Sequence, residues 1–498
     1  MKAKLTPKES LLVATMLFGM FFGAGNLIFP AYLGRQAGSG VWPAIAGLLV
    51  TGVGLPLLGV AAIGITRSDG LFALSQKVSR PYGLCFTCAL YLTIGPFFAI
   101  PRCATVPFTL GVQPLVGAEG SGLALALFSL AFFAVVAVLS LRPASILTSI
   151  GRTLTPLFLV FFGVLAVTVL LHPASPDAFE PLGSYRSNPF FAGFLEGYNT
   201  MDALAGLAFG IVVINVIRGA GVTRPESVAA STVRSGLFSC LIMAGIYIVV
   251  TLMGVQSRTI PAEAANGGEG LSLLANRHYG TAGTLILAAT VTLACLKTSV
   301  GLVTSCAETF VAIFPKGPGY RVWALLFSVL SFLIANVGLT AILDWSLPVL
   351  MLLYPLAITL ILLGLAGKWF GHDPVVYRLV TGLTLVAALF DFFGALPAGA
   401  AASLHLEGAI GFAKAYLPLY ALGLGWVCPA ALGLALGLAL VMAVRVGLKA
   451  LLAALFGDAP FTDGVRYLCI ALTGGVLWPM TFGFWGRLGR GSRAGAKG

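Results

Sequence analysis

Apolar runs long enough to cross a bilayer recur along almost the whole of this chain, and no other feature limits its fold so strongly. A hydrocarbon core of about 30 Å takes roughly 20 helical residues. Runs of that kind lie at residues 10–31, 41–66, 82–112, 121–141, 146–171, 188–218, 236–256, 281–314, 322–340, 342–367, 375–396 and 417–444, separated by short charged or Gly/Pro-rich turns. Twelve spans leave no room for a soluble domain. With 58% of its 498 residues hydrophobic and only 9% charged, the chain reads as an all-α polytopic membrane protein.

Basic residues set the orientation. With the N-terminus inside, eighteen of the 29 lysines and arginines fall in cytoplasmic segments, among them Lys2, Arg67, Arg142, Arg218, Lys316 and Arg445, whereas only Arg35, Arg186, Arg258, Arg277 and Lys414 fall outside. That asymmetry follows the positive-inside rule. It accounts for the net charge of +12 without nucleic acid. A thirteenth apolar run at 466–486 would carry Arg487, Arg490, Arg493 and Lys497 to the wrong side if it spanned, so it reads as re-entrant or interfacial. The basic N-terminus precedes a run too long for a signal peptide, and that run is the first membrane helix. All eight cysteines sit in apolar segments and read as free thiols. Cys85 and Cys88 have a CxxC spacing that packing inside a helix accounts for. The four histidines are scattered through loops, and no metal constellation is visible.

Two of the spans are interrupted. G19-M-F-F-G-A-G-N-L-I-F-P30 places three glycines and a proline in twelve residues of the first span, and backbone opened at that depth must line a cavity because lipid cannot satisfy it. Gly19 and Gly23 also form a GxxxG pair that would permit close packing, but Asn26 is a polar side chain packing does not call for. The sixth span carries E196-G-Y-N-T-M-D-A-L-A-G-L-A-F-G210. Corresponding interruptions at the start of two five-span halves point to an inverted-repeat secondary transporter with its substrate at the breaks.

The motifs F-G-A-G-N-L-I-F-P, I-G-P-F-F-A-I-P-R-C-A-T-V, E-G-Y-N-T-M-D-A-L-A, L-A-C-L-K-T-S-V-G-L and L-G-W-V-C-P-A-A-L occur in this order. Across residues 8–445 the chain resembles the bacterial branched-chain amino acid transport carriers of the amino acid–polyamine–organocation superfamily. The resemblance implies the leucine-transporter fold: a cytoplasmic N-terminus at 1–9, a five-helix repeat at 10–171, its inverted partner at 188–367, helices 11 and 12 at 375–444, and a C-terminal extension at 445–498. It also implies import of leucine, isoleucine and valine through the bacterial inner membrane, with a proton or sodium ion as coupling cation and no cofactor. A small zwitterion and the surrounding lipid are the partners expected. The substrate carboxylate is placed at the amides of Ala24, Gly25 and Asn26, where a helix N-terminus favours an anion. The apolar side chain is placed against Phe209 near Gly206 and Gly210.

Lys297, inside L-K-T-S-V-G-L of the eighth span, is the residue hardest to explain by packing, because a lysine at mid-membrane costs roughly 2.5–3.5 kcal/mol even on the forgiving insertion scale. It shares a helical face with Thr290, Ala294, Gly301, Thr304 and Glu308, a stripe read as facing protein or water. Snorkelling or a fixed pair with Asp202 is the structural alternative. In sodium-coupled relatives of the fold, the positions similar to Lys297 and Thr298 hold a sodium ion together with carbonyls of the first helix, here near Gly19 and Phe22. The carriers it resembles have an uncharged residue at the first of these positions, and Lys297 departs from that pattern. Its ammonium is expected to take the place of sodium, with a proton leaving and rejoining it to couple transport. The alternatives are sodium-coupled symport or, if Lys297 keeps its proton, an uncoupled exchanger of another neutral amino acid. Arg102 is read either as a gate or carboxylate contact or, with more weight, as the partner of Glu196 or Asp202. Asp391, outside the ten-helix core, is read as serving a helix interface.

Other classes fit poorly. An intramembrane enzyme would need paired acids, metal spacing or a nucleophile with a base, and none is seen. A channel would need a continuous polar pore, whereas the polar groups cluster at the two breaks.

Overall fold

The computed structural model describes residues 5–141, 160–171, 175–222, 224–261 and 263–456. The run at 466–486, the tail charges, Arg142, Arg152, Lys2, Lys4 and Cys469 lie outside them, as does the first part of the fifth span.

The chain enters the first helix through a capping box. The Thr6 hydroxyl accepts from the Glu9 amide while the Glu9 carboxylate accepts from the Thr6 amide, and Pro7 occupies the first turn, where no amide partner is needed. Helix α1 runs Pro7–Phe21 and α2 runs Gly25–Ala37, with Phe22, Gly23 and Ala24 between them. Then come α3 (Val41–Leu49) and α4 (Leu55–Thr66), joined by a π turn into one second span, and the short α5 (Leu71–Ser75). The third span is α6 (Arg80–Leu92) and α7 (Ala99–Pro107), with π turns at Thr93–Phe97 and Phe108–Val112; α8 (Gln113–Ser140) is the fourth and α9 (Val160–Leu170) the described part of the fifth. The sixth is α10 (Pro189–Asn199) followed by α11 (Asp202–Gly219). The remainder are α12 (Pro225–Gln256), α13 (Gly267–Ile313), α14 (Tyr320–Ala335), α15 (Leu339–Phe370), α16 (Pro374–Ala395), the short α17 (Ala398–Ser403) and α18 (Glu407–Tyr416), and α19 (Val427–Phe456).

Among the described residues, nine stretches of helix are long and apolar enough to cross a membrane. The other three of the twelve runs are shorter for identifiable reasons. The first is split into 15 and 13 residues by its break, the fifth is described in part, and the ninth has 16 residues. Helix ends differ from the hydropathy boundaries where polar sequence continues a helix. α12 starts at Pro225 because P-E-S-V-A-A-S-T-V-R is helical without being apolar, and α13 starts at Gly267 and bends at Gly280, whose φ of 61° takes it out of the helical region. The twelfth helix begins at Val427, ten residues later than the apolar run, since Leu419 and Gly423 adopt left-handed backbone conformations in the approach to it.

Two groups of helices pack by different means. α2 lies on α12, α3 on α10 and α4 on α11, at glycines that let backbone meet backbone. A Cβ on Gly34 would stand 1.9 Å from the Thr251 carbonyl oxygen, one on Gly254 2.1 Å from that of Ala31, and one on Gly193 2.0 Å from that of Ala44. In contrast, α13 packs against α7, α8 and α14 through side chains such as Phe310, which meets the Trp323 ring edge-on at 5.0 Å. α13 also crosses α1 and α2, and the site lies there.

Candidate functional site

The first and sixth spans break side by side. At the first break Phe22 is extended (φ −71°, ψ 104°), consistent with Gly23 following it. At the sixth the break falls at Thr200 and Met201, not at a glycine: Met201 takes φ 61°, a left-handed conformation that costs a non-glycine residue energy and clusters at functional sites. Both breaks, with α7 and α13, enclose a cavity of about 40 Å³ lined by Gly23, Ala24, Gly25 and Asn26 from the first span, Thr200, Asp202, Ala205 and Phe209 from the sixth, Arg102 and Cys103 from the third, and Thr298 from the eighth. Its volume admits a few waters. The apolar wall includes Phe21 and Phe209, whose ring centroids are 6.2 Å apart.

The polar wall is tied together across three spans. The Asn26 amide nitrogen donates to Asp202 Oδ2 at 2.8 Å and to the Tyr247 hydroxyl, while Asn26 Oδ1 accepts from the Gly23 amide at 2.7 Å. Tyr247, from α12, donates its hydroxyl proton to the same Asp202 oxygen. All three side chains are buried, so each bond replaces a lost hydration contact and the network fixes the start of α2 against the start of α11. The Thr200 hydroxyl also lies beside the Asp202 carboxylate, and among the described residues the two side-chain bonds from Asn26 and Tyr247 both fall on Oδ2.

Arg102 is 2% exposed and crosses to the other side of the sixth-span break. Its Nη1 donates to the carbonyl of Asn199, the last residue of α10, at 3.0 Å, and its guanidinium lies over the Phe29 ring at 5.2 Å from the centroid. A cation at the C-terminal end of a helix meets the negative end of the macrodipole, and the ring face adds a cation–π contact. The expected ion pair with Glu196 or Asp202 does not form. The carbonyls left open where α10 stops offer the guanidinium an acceptor nearer than either carboxylate. Glu196 is instead half-buried near Tyr32 and Tyr185.

At the opposite wall, α13 meets α1. The Thr298 hydroxyl donates to the Phe22 carbonyl at 2.9 Å, and a Cβ on Gly23 would touch the Thr298 methyl at 3.1 Å. Lys297 lies one residue earlier with its ammonium against Gly19: a Cβ there would stand 2.0 Å from Nζ. Only glycine leaves that space. Among the described residues Lys297 forms no ion pair with Asp202. Further along the stripe, Thr304 accepts from the Tyr320 hydroxyl at 3.3 Å. Glu308 is exposed near the end of α13, so it does not belong to the buried set.

A family model described as branched-chain amino acid transport protein matches residues 6–444. The chain belongs to that family. The branched-chain amino acid permease BrnQ of Lactobacillus delbrueckii subsp. lactis is 54% identical over 433 residues, covering 86% of this chain and 96% of the relative. BrnQ of Bacillus subtilis (strain 168) is 39% identical over 433 residues, covering 87% and 97%. In solved structures the same fold occurs in Mhp1, a nucleobase-cation-symport-1 family transporter. Its closed conformation with bromovinylhydantoin bound matches with a TM-score of 0.54 at 15% identity over 88% of this chain and 93% of that one, and its inward-facing conformation with 0.58 at 13% identity over 89% and 95%. This branched-chain amino acid transport protein is thus a multi-pass membrane protein of the leucine-transporter fold, a carrier and not an enzyme.

Of the residues singled out from sequence, Ala24, Gly25, Asn26, Asp202, Phe209, Arg102 and Thr298 line the cavity of this transport protein, and Gly19, Phe22 and Lys297 meet beside it. Gly206 and Gly210 do not reach it. They turn toward the second span, where a Cβ would stand 2.6 Å from the Pro56 carbonyl oxygen and 2.9 Å from Ile63. Sequence reasoning missed Tyr247, Cys103 and Met201. Tyr247 sits in a span with no interruption to draw notice. The signal for Met201 was available, since N-T-M-D offers two capping residues around it.

Proposed function

We propose that the protein is a secondary transporter that brings leucine, isoleucine and valine into the cell across the bacterial inner membrane by alternating access, N-terminus cytoplasmic, driven by protons and independent of sodium. The relatives, branched-chain amino acid permeases, supply the substrate class. The carboxylate of the substrate meets the amides that begin α2: that of Gly25 donates to no backbone or side-chain oxygen among the described residues, as expected of a helix start, and that of Ala24 faces the Cys103 sulfur in the cavity wall. The side chain meets Phe21 and Phe209, and a bound amino acid requires the 40 Å³ cavity to widen. Apolar contact alone then sorts the three substrates, with about 1–3 kcal/mol at stake per methylene.

The observation that carries the coupling assignment is the Lys297 ammonium held against Gly19 beside the Thr298–Phe22 hydrogen bond. An ammonium there leaves no place for a metal cation between α1 and α13, Lys297 takes over its role in fastening those helices, and the proton that leaves and rejoins Lys297 during the cycle supplies the coupling. The test is uptake of radiolabelled leucine into proteoliposomes under an inward proton gradient, an inward sodium gradient, or neither. Uptake driven by protons and indifferent to sodium is expected, with Lys297→Thr losing the proton dependence. Sodium-driven uptake by the unaltered protein would overturn the assignment and leave Lys297 a structural tie.

A further inference from the structure

The cavity holds two buried charges of opposite sign that do not pair. Arg102, 2% exposed, uses one of its five N–H donors, on the Asn199 carbonyl. Asp202, also 2% exposed, accepts from Asn26 and Tyr247 on the single oxygen Oδ2, with the Thr200 hydroxyl beside its carboxylate, and among the described residues no Asn26 or Tyr247 bond reaches Oδ1. Both residues line the same space, and no salt bridge joins them. A buried guanidinium with spare donors and a buried carboxylate with a spare oxygen each forgo hydration, which is costly unless something of opposite charge arrives. The molecule that satisfies both at once carries an anion and a cation a few ångströms apart.

We propose that Asp202 and Arg102 are the residues by which this transporter demands a zwitterion: Asp202 Oδ1 receives the α-ammonium of the substrate, and the free N–H groups of Arg102 share its α-carboxylate with the amides of Ala24 and Gly25. This rests on the reading of the cavity as the substrate site. The division of labour follows from placement. Asp202 opens α11 and is fixed through Oδ2 to α2 and α12, so Oδ1 is presented by a rigid support. Arg102 is clamped between the Asn199 carbonyl and the Phe29 face, so its remaining donors are oriented before any substrate binds. A site of this design rejects analogues that lack either charge, because one buried group is then left without its partner.

The test is competition against radiolabelled leucine on the purified full-length protein with three molecules of one carbon skeleton: leucine, 4-methyl-2-oxopentanoate (no ammonium) and isopentylamine (no carboxylate). The unaltered protein is expected to bind leucine at least a hundredfold better than either analogue. Asp202→Asn is expected to weaken leucine at least tenfold and to improve the oxo acid; Arg102→Gln is expected to weaken leucine and improve the amine. Tyr247→Phe, which disturbs the same network without removing a charge, should keep the original ranking. Uniform losses in the two charge variants, with the ranking unchanged, would overturn the proposal, and either variant decides alone if the other does not fold. Should the unaltered protein bind a different neutral amino acid and not leucine, the branched-chain reading fails, and the same comparison with that amino acid's oxo acid and amine still decides the roles of Asp202 and Arg102.

Discussion

Gly19→Ala moves the Lys297 ammonium without altering any charge. The added methyl would stand 2.0 Å from Nζ and 3.1 Å from Cε, more than an ångström inside normal contact. Something must give, and the cheap movement belongs to the end of a long side chain, because α1 is held by its packing on α12 and α11. The helix itself gains, since alanine is about 1 kcal/mol better than glycine in a helix interior, so the fold is retained. What is lost is the ammonium's seat against Gly19 of the first span; taken to be worth as much as a hydrogen bond to a charged group, it contributes roughly 1.5–3 kcal/mol. At about 1.4 kcal/mol per factor of ten, proton-driven leucine accumulation in proteoliposomes should fall about ten- to a hundredfold, with an unchanged melting temperature. Gly382→Ala is the control: the residue is exposed on α16 and a Cβ there meets nothing within 4 Å. A folded Gly19→Ala protein that accumulates leucine as well as the unaltered one, with the same response to the proton gradient, would refute the reasoning.

Other substitutions probe the rest of the framework. Gly34→Ala sets a methyl 1.9 Å from the Thr251 carbonyl oxygen and 3.0 Å from the Val255 amide; with backbone on both sides, an overpacking cost of at least about 1–3 kcal/mol is expected, read as a lower melting temperature in detergent, and an unchanged one would mean that α2 and α12 part easily. Tyr247→Phe removes one donor from Asp202 and one acceptor from Asn26, at a cost of roughly 1–3 kcal/mol. Thermal denaturation or leucine affinity should register it, and no change in either would show the network to be dispensable.

Much of the architecture was legible because lipid enforces it. Span length and helicity follow from the bilayer's thickness and its lack of hydrogen-bond partners, and the first break follows from Gly23 among its neighbours. The sixth break was legible in position but not in mechanism, because three glycines drew attention while Met201 carried the left-handed turn. Gly206 and Gly210 illustrate the limit: a glycine that exposes backbone to a ligand and one that admits a neighbouring helix look alike in sequence, and only the position of Pro56 and Ile63 distinguishes them. Arg102 illustrates another. Charge arithmetic sends an arginine to the nearest acid, whereas a broken helix supplies carbonyl acceptors that no charge count includes.

The glycine contacts between α2 and α12, and between α3 and α10, have a mechanical meaning. Where long side chains separate two helices, bond rotations let one surface slide over the other at little cost, so the joint is compliant. Where a carbonyl oxygen rests on a glycine Cα, as at Gly34, Gly254 and Gly193, there is nothing to rotate and the joint is stiff. Force applied at one end of the first, second, sixth or seventh span is therefore transmitted to the others nearly undiminished, and the yielding joints are those of α13 against α7, α8 and α14, built from side chains such as Phe310 and Trp323.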